Sequence, residues 1–535
     1  MRDLTSWLDG WRRRGATRRQ VLQGSGLLAA GWFCPVPPGS APAAGARHEG
    51  STSPYRALGV RPLVNARGTV TIVGASRALP EVRQAMDAAS REYVQIDELM
   101  DAVGRRLAQL TGAEWGIVTS GASAALTVAT AGCVTGGDPD KLAQLPELRG
   151  MKNEVIVPRY SLTAYAHAVR AVGTRMVEVD TRAELEAALG PRTAMVMVLA
   201  SQRSDEGPLS LAEIASLAGP RGVPILVDAA ADELAVPNPY LAKGADLVAY
   251  SGGKCLRGPQ CAGLLLGRRS LVCAAWINSA PHHGFGRGFK VGREEIMGML
   301  AAVEAWTRRD HAAEQRTWHA WLEHIVSRLS GVPGVACEIR QPKGLSNRTP
   351  TLRVQWDPKV VPLTGDDVER VLWDAEPRIA VGGAGSFLPF PPNAEPNVTI
   401  VPYQLEAGEE RVVADALRAV LSAPPRRPVR TDPPASDVSG QWDVEVRFAA
   451  ATATQVFALE QKGSELRGSH HASFATRDLA GSLHGDDLLV RSSCTERGVR
   501  LNFTFAGKVT ANTMRGTVHM GEYGTAAWTA TRRGV

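Results

Sequence analysis

Lys254 lies in AYSGGKCLRGPQCAGL, residues 249–264, a single lysine among glycines, a serine, a proline and other small residues directly after an apolar run. Twenty-six residues earlier the run VPILVDAA carries an acid, Asp228, at its end. Further back, VTSGASAALTVATAG reads as a strand ending at Thr119, followed by a helix that Ser120, Gly121, Ala122 and Ser123 open. The free N–H groups and positive dipole end of such a helix face an anion. Ser251, three residues before Lys254, adds a hydroxyl donor to the same place. An amine, a carboxylate and an anion seat are what pyridoxal phosphate requires. The amine forms its Schiff base, the carboxylate keeps its ring nitrogen protonated so that the ring acts as an electron sink, and the seat takes its phosphate. Singly, these features also read as a helix cap, a strand-end cap and a solvated loop lysine. Their order at successive strand ends is the specific signal.

The elements that must position them are short apolar strands separated by helical stretches. GIVTS, NEVIVP, TRMVEV, AMVMVLA, VPILVD and LVAYS alternate with patterns such as SLAEIASLAG. Continuous apolar strands between helices predict an α/β fold with a mostly parallel sheet covered on both faces. The stretch Ser422–Asp437, with five prolines, breaks the pattern and reads as a linker. Beyond it the periodicity becomes two: Trp442, Val444, Val446 and Phe448 share one face, as do Leu501, Phe503 and Phe505. With turns at QKGSEL, HGDDL and MGEYG, residues 438–535 are expected to form an all-β sandwich or small barrel. His470 and His471 are adjacent and point to opposite faces of a strand, so solvated side chains are expected there rather than a metal site.

The chain has 535 residues, enough for two or three domains, and a net charge of +6. Residues 1–46 carry six Arg against two Asp, so without them the charge is about +2, which argues against a nucleic-acid partner. This segment has paired arginines at Arg18 and Arg19, a short apolar run and small residues at Ala44 and Ala46. It reads as a twin-arginine export signal, with a periplasmic or extracellular destination. The apolar run is shorter than the roughly 20 residues a spanning helix needs, so no permanent membrane span is expected. Seven scattered cysteines without a CxxC or Cys/His cluster predict neither a zinc site nor a disulfide framework, and read as small core residues.

Residues 55–422 resemble the fold-type I pyridoxal-phosphate enzymes of the selenocysteine-synthase-like group, to which D-glucosaminate-6-phosphate ammonia-lyase belongs. The resemblance is carried by LVNARGTVTIVGAS, LTGAEWGIVTSGASAAL, MKNEVIV, ILVDAAADE, SGGKCLRGPQCAGLLLGRR and KVGREEIMGML. It implies a large cofactor-binding domain over 55–290, a small domain over 291–422, a 423–437 linker and the β-domain. It also implies that Lys254 holds the cofactor, that Asp228 pairs with the ring nitrogen, and that Ser120, Gly121, Ala122, Ser123 and Ser251 hold the phosphate. The glycines beside Lys254 are then expected to let the backbone approach the cofactor. Where members of that group carry Gly-His-Arg after the third strand, this chain has Tyr160, Ser161 and Leu162. Tyr160 reads either as a stacking face for the cofactor ring or as a packed tyrosine, and the substrate and reaction are not carried over.

Arg378 in AEPRIAV looks like the arginine with which many fold-type I enzymes hold a substrate carboxylate, the alternative being a surface arginine before a strand. Arg67 in NARGTV is a second candidate for that pocket. Lys290 and Arg293 read as phosphate or neighbouring-subunit contacts, or as a solvated helix start. The expected substrate is an amino acid that loses its α-proton to Lys254. Elimination of a β-hydroxyl then gives a 2-oxo acid and ammonia. Racemisation, aldol cleavage and β-replacement are the alternatives, and an exported binding or scaffold protein with a degenerate enzyme domain is the alternative of another class. The resemblance also implies a homodimer or higher homo-oligomer.

Overall fold

The computed structural model describes residues 53–382, 395–425 and 432–534. The export signal read at residues 1–46 lies outside them, as do residues 426–431 of the linker. A short helix, Pro54–Ala57, belongs to a first unit that ends at Val60, and the unit from Arg61 onward holds everything below.

That unit opens with β1, Leu63–Ala66, and then builds a seven-stranded sheet. Its strands are β2 (Trp115–Thr119), β3 (Glu154–Pro158), β4 (Arg175–Val179), β5 (Thr193–Leu199), β6 (Ile225–Asp228), β7 (Leu247–Ser251) and β8 (Gly263–Gly267). The order is β2-β8-β7-β6-β5-β3-β4. Pairs from β7 to β4 are parallel, while β8 runs antiparallel to both β2 and β7. Every residue of β2, β3, β6 and β8 is buried, which is the signature of strands covered on both faces.

A second core holds the antiparallel sheet of β9 (Val335–Arg340), β10 (Thr351–Trp356) and β12 (Asn397–Ile400), in the order β12-β10-β9. Beside it lies a parallel ribbon of β1 with β11, Arg378–Val381. Two boundaries therefore differ from those expected. Strand β1 contributes Val64 and Ala66 to the second core, although it lies within 55–290. The helix Arg293–Arg308, expected in the small domain, turns Ile296, Met299, Val303 and Trp306 to the first core. Their spacing puts them on one helical face, and that face needs the large sheet's cover.

The C-terminal strands are β13 (Gly440–Arg447), β14 (Thr452–Lys462), β15 (Glu465–His471), β16 (Thr476–His484), β17 (Asp487–Glu496), β18 (Val499–Thr510), β19 (Thr513–His519) and β20 (Thr525–Arg532). Each pairs antiparallel with the next and β20 closes on β13, so the choice between sandwich and barrel falls to a closed barrel. Closure leaves no open sheet edge. Trp442, Phe457, Phe505 and Trp528 fill the interior, with Phe457 and Phe505 edge to face at 4.9 Å. The two histidines do point to opposite faces, but only His471 lies outside. His470 is completely buried, because the barrel encloses one face of every strand.

Among the described residues no helix is long and apolar enough to cross a membrane. The described cysteines are free: Cys133, Cys255 and Cys273 pack against the first core and Cys337 against the second, in keeping with the expected core role, whereas Cys261 is exposed.

Candidate active site

Asp228 is the last residue of β6 and Ser251 the last of the neighbouring β7, so both stand at the C-terminal edge of the parallel strands, where open α/β sheets gather ligands. Three residues past Ser251 comes Lys254. Asp228 is 3% exposed, and its Oδ1 accepts the Ala230 N–H at 3.1 Å. Burial raises its pKa, against the Ala230 hydrogen bond and the charge of Lys254. Lys254 is half-buried, and burial lowers its pKa while Asp228, Cys255 and Asp232 act to raise it. The amine and the carboxylate thus feel each other's charge inside a poorly solvated site.

The loop carrying Lys254 folds back on itself. A Cβ on Gly252 would come within 2.7 Å of both Met299 Sδ and the Ala262 carbonyl, and one on Gly253 within 2.9 Å of Gln260 Cα. These glycines are needed for close packing within the loop and against the helix Arg293–Arg308. The packing fixes the stem of Lys254. From the other side, Ser76 N–H donates to the Gly253 carbonyl and Leu79 N–H to the Arg257 carbonyl.

The anion seat is the junction of β2 with the helix Ala122–Thr135. Gly121 takes φ +99°, a conformation that favours glycine, and the space above it is open. Gly263 of β8 packs so tightly that a Cβ would lie 2.6 Å from the Gly121 carbonyl carbon, which holds the helix start against the sheet. Eleven of the helix's 14 residues are buried, so its N-terminal N–H groups are aimed by the core rather than by a mobile loop. Ser123 is exposed at the first turn, and Ser120 Oγ donates to the Phe289 carbonyl at 3.0 Å. Ser120 also lines a cleft of about 540 Å³ with Arg287 and Lys290. Lys290 therefore shares a cleft with Ser120, the first residue of the seat. Arg293 lines the same cleft and donates to the carbonyls of Ala89 and Ser90, at the end of the helix Pro80–Ala89.

Tyr160 follows β3, its hydroxyl donating to the Leu209 carbonyl at 2.7 Å, and burial pushes its pKa up to about 12. The two candidate arginines are not brought together. Arg378 pairs with Leu63 at the start of the β1–β11 ribbon, donates to the Trp373 carbonyl at 2.9 Å and lies 4.6 Å over the Trp373 ring. Arg67 follows the other end of the ribbon, where it donates to the Val381 carbonyl at 2.6 Å and reaches Glu369 at 3.4 Å. Burial lowers its pKa to about 10, against the pull of Glu369. Two residues on, Thr69 shares a hydrogen bond with Tyr403, and Tyr403 lines a crevice with Cys255 and Arg257 beside the lysine.

Sequence reasoning missed Asp232, a buried acid that accepts from the Tyr240 hydroxyl and adds negative potential at Lys254. It also missed Tyr403 and Arg257, the latter at φ +54°. The acid in DAAADE, four residues after Asp228, was the available signal; Tyr403 lies 149 residues from Lys254 in sequence and had none.

These groups fit pyridoxal phosphate: a half-buried amine and a buried acid at and just past adjacent strand ends, and an open helix N-terminus next to a cleft lined by Arg287, Lys290 and Arg293 together with Glu294 and Glu295. No protein-family model matches the sequence. The chain is 33% identical over 332 residues to the D-glucosaminate-6-phosphate ammonia lyase of Salmonella typhimurium, covering 60% of this chain and 87% of that one. It is 32% identical over 311 residues to a Streptomyces 5'-C-glycyluridine monooxygenase-decarboxylase, covering 55% of this chain and 76% of that one. An L-seryl-tRNA(Sec) selenium transferase of Moorella thermoacetica is 27% identical over 293 residues, 48% of this chain and 58% of the relative. A solved D-glucosaminate-6-phosphate ammonia-lyase superposes with a TM-score of 0.61 at 30% identity, over 69% of this chain and 98% of the other. The chain belongs to the pyridoxal-phosphate-dependent, fold-type I enzymes of the D-glucosaminate-6-phosphate ammonia-lyase and selenocysteine-synthase group, with a β-barrel added at its C-terminal end.

Proposed function

We propose that the protein is a lyase that eliminates from a β-hydroxy or sugar amino acid to release ammonia and a 2-oxo acid. The observation that carries this reading is the buried Lys254–Asp228 arrangement at adjacent strand ends, within a chain that matches most of an ammonia lyase's length. Bound pyridoxal phosphate supplies the electron sink that lets an α-carbon give up its proton. Lys254 and Asp228 would hold its aldehyde end and its ring nitrogen, and Ser120, Gly121, Ala122, Ser123 and Ser251 its phosphate. Burial favours the uncharged form of Lys254, so its Nζ is ready to accept the α-proton at a lower pH than an ordinary lysine. Burial disfavours the ionised form of Asp228, against the Ala230 N–H and the charge of Lys254, and a protonated ring nitrogen held beside it would favour that form. The modest charge remaining without residues 1–46 argues against a tRNA-borne substrate.

The test is a panel of D- and L-β-hydroxy and sugar amino acids, D-glucosaminate 6-phosphate among them, with ammonia and 2-oxo acid measured together. Equal amounts of both are expected from at least one substrate, and none from Lys254→Ala. Cofactor-loaded protein that inverts or cleaves substrates without releasing ammonia would overturn the elimination reading.

The functional unit we propose is a homodimer or larger. Val70, Ile72, Tyr93 and Val94 are exposed apolar residues, and the segment holding the first two is tied to the lysine loop through Ser76. A second copy that covers them would complete the site. A fully active monomer by sedimentation would refute this. Export of the folded, loaded enzyme is proposed from Arg18 and Arg19 and predicts cytoplasmic retention of the Arg18→Lys, Arg19→Lys double variant.

A further inference from the structure

One end of the barrel interior is polar although the rest is apolar. The turns after β13, β15, β17 and β19 all lie at that end, and the inward positions beneath them are Gln455, His470, Arg477, Ser492 and Cys494. His470 uses both ring nitrogens, one with Ser492 Oγ at 2.8 Å and the other with Gln455 Oε1 at 2.7 Å. Its pKa falls to about 3, through burial first and then the charges of Arg477 and His471. The imidazole is therefore neutral and fully committed.

Arg477 is different. It is 7% exposed, its Nε donates to Cys494 Sγ at 3.1 Å, and its guanidinium lies 4.7 Å over the Phe503 ring. Its Nη1 is buried with no hydrogen-bond partner. Among the described residues of the barrel the buried polar side chains are Gln455, His470, Arg477, Ser492 and Asn502, none of them acidic. A buried guanidinium without an acid is costly, and barrels of eight strands are wide enough to hold one small ligand. Above the cluster, Phe474 in the turn after β15 is 96% exposed and Tyr523 in the turn after β19 is 54% exposed. Two exposed aromatic rings thus stand in turns at the same end of the barrel as a buried cation with no acid beside it.

We propose that the mouth of the barrel binds a small carboxylate with an apolar or aromatic body, its acid group on the Nη1 edge of Arg477 and its body toward Phe474 and Tyr523. A guanidinium stacked on a ring presents its edge donors to a planar carboxylate in a forked geometry. The same end of the barrel rests on the catalytic domain: Gly498 packs on Thr163, where a Cβ would come within 2.6 Å of the backbone, and Arg170 donates to the Arg497 carbonyl at 3.4 Å. The site is thus held beside the chain segment that follows β3, and it stands apart from Lys254 in chemistry and residues.

Calorimetric titration of the full-length, cofactor-loaded protein with benzoate, pyruvate and inorganic phosphate tests this. Benzoate is expected to bind saturably at the barrel, pyruvate more weakly and phosphate least. Arg477→Gln should weaken benzoate at least tenfold while leaving the visible absorbance of the bound cofactor unchanged. Arg477→Lys keeps the charge and the stem and so guards against misfolding; it should also lose about tenfold, since the fork is gone. Benzoate binding that persists undiminished in both variants belongs to the catalytic site and overturns the proposal. So does a folded wild type that binds no benzoate, or one that prefers phosphate.

Discussion

The catalytic sheet and the barrel both bury ionisable groups, but they reach them by opposite routes. Asp228 and Lys254 stand at and just past the ends of parallel strands, in a turn of small residues, while His470 and Arg477 are inward positions within paired strands. At a strand end the backbone is free to wrap a cofactor, so charge is buried where it can be exchanged with a bound group. Inside a closed barrel every backbone group is already paired, so only side chains can answer a buried charge. His470 is answered by Ser492 and Gln455, whereas Arg477 is answered only by a thiol and a ring. The first region is built to trade partners; the second is nearly closed, with one position left open.

If the two clusters differ in this way, the largest effect belongs to Lys254. Lys254→Ala removes both roles proposed for this residue, cofactor anchor and proton acceptor, and turnover should fall by about 10⁴-fold or more, with loss of the visible absorbance. Retained absorbance would mean that another lysine holds the cofactor. Asp228→Asn keeps the size and the Ala230 contact but not the charge. It should cost about 3 kcal/mol in the transition state, roughly a hundredfold in kcat, with KM little changed. Full turnover in Asp228→Asn would place the ring-nitrogen partner elsewhere, with buried Asp232 the next acid to test.

The barrel's histidine acts on stability instead. Its folded pKa is depressed from 6.5 to about 3, so between those values the unfolded chain binds a proton that the folded chain does not. The stability present above about pH 6.5 is therefore lost as pH falls toward 3, at about 1.4 kcal/mol per unit, or about 2 kcal/mol by pH 5. Denaturant unfolding of the full chain at pH 7 and pH 5 should show this loss in wild type and less of it in His470→Gln. Equal pH dependence in the two would mean that the ring is solvated after all.

The same contrast explains what the sequence made legible. Strands β2 to β7 and the Ser120–Ser123 seat stood out because parallel strands are continuous apolar runs and a cofactor turn needs small residues at fixed offsets. Strand β8 was hidden inside the lysine motif, and its antiparallel course depends on pairings that no local pattern encodes. In the barrel, alternation marked the apolar face correctly, yet nothing local tells whether a histidine beside another histidine is on the enclosed face or the wet one. That Arg67 and Arg378 stand at opposite ends of one ribbon depended on how β1 and β11 pair across more than 300 residues.

That pairing gives the smallest expected effect. The β1–β11 ribbon is parallel, with Leu63 beside Arg378 and Ala66 beside Val381, so Arg67 follows the end marked by Val381 and Arg378 occupies the other, about 10 Å away at the rise of a strand. Thr69 and Tyr403 tie the Arg67 end to the crevice beside Cys255, whereas Arg378 is spent on the Trp373 ring and carbonyl. Arg378→Ala should therefore leave KM within about twofold and cost about 1 kcal/mol of stability, the worth of a partly exposed cation–π contact. A tenfold rise in KM with stability unchanged would restore Arg378 as the substrate's carboxylate partner. It would also require the ribbon to shift on binding, since its guanidinium now points at Trp373.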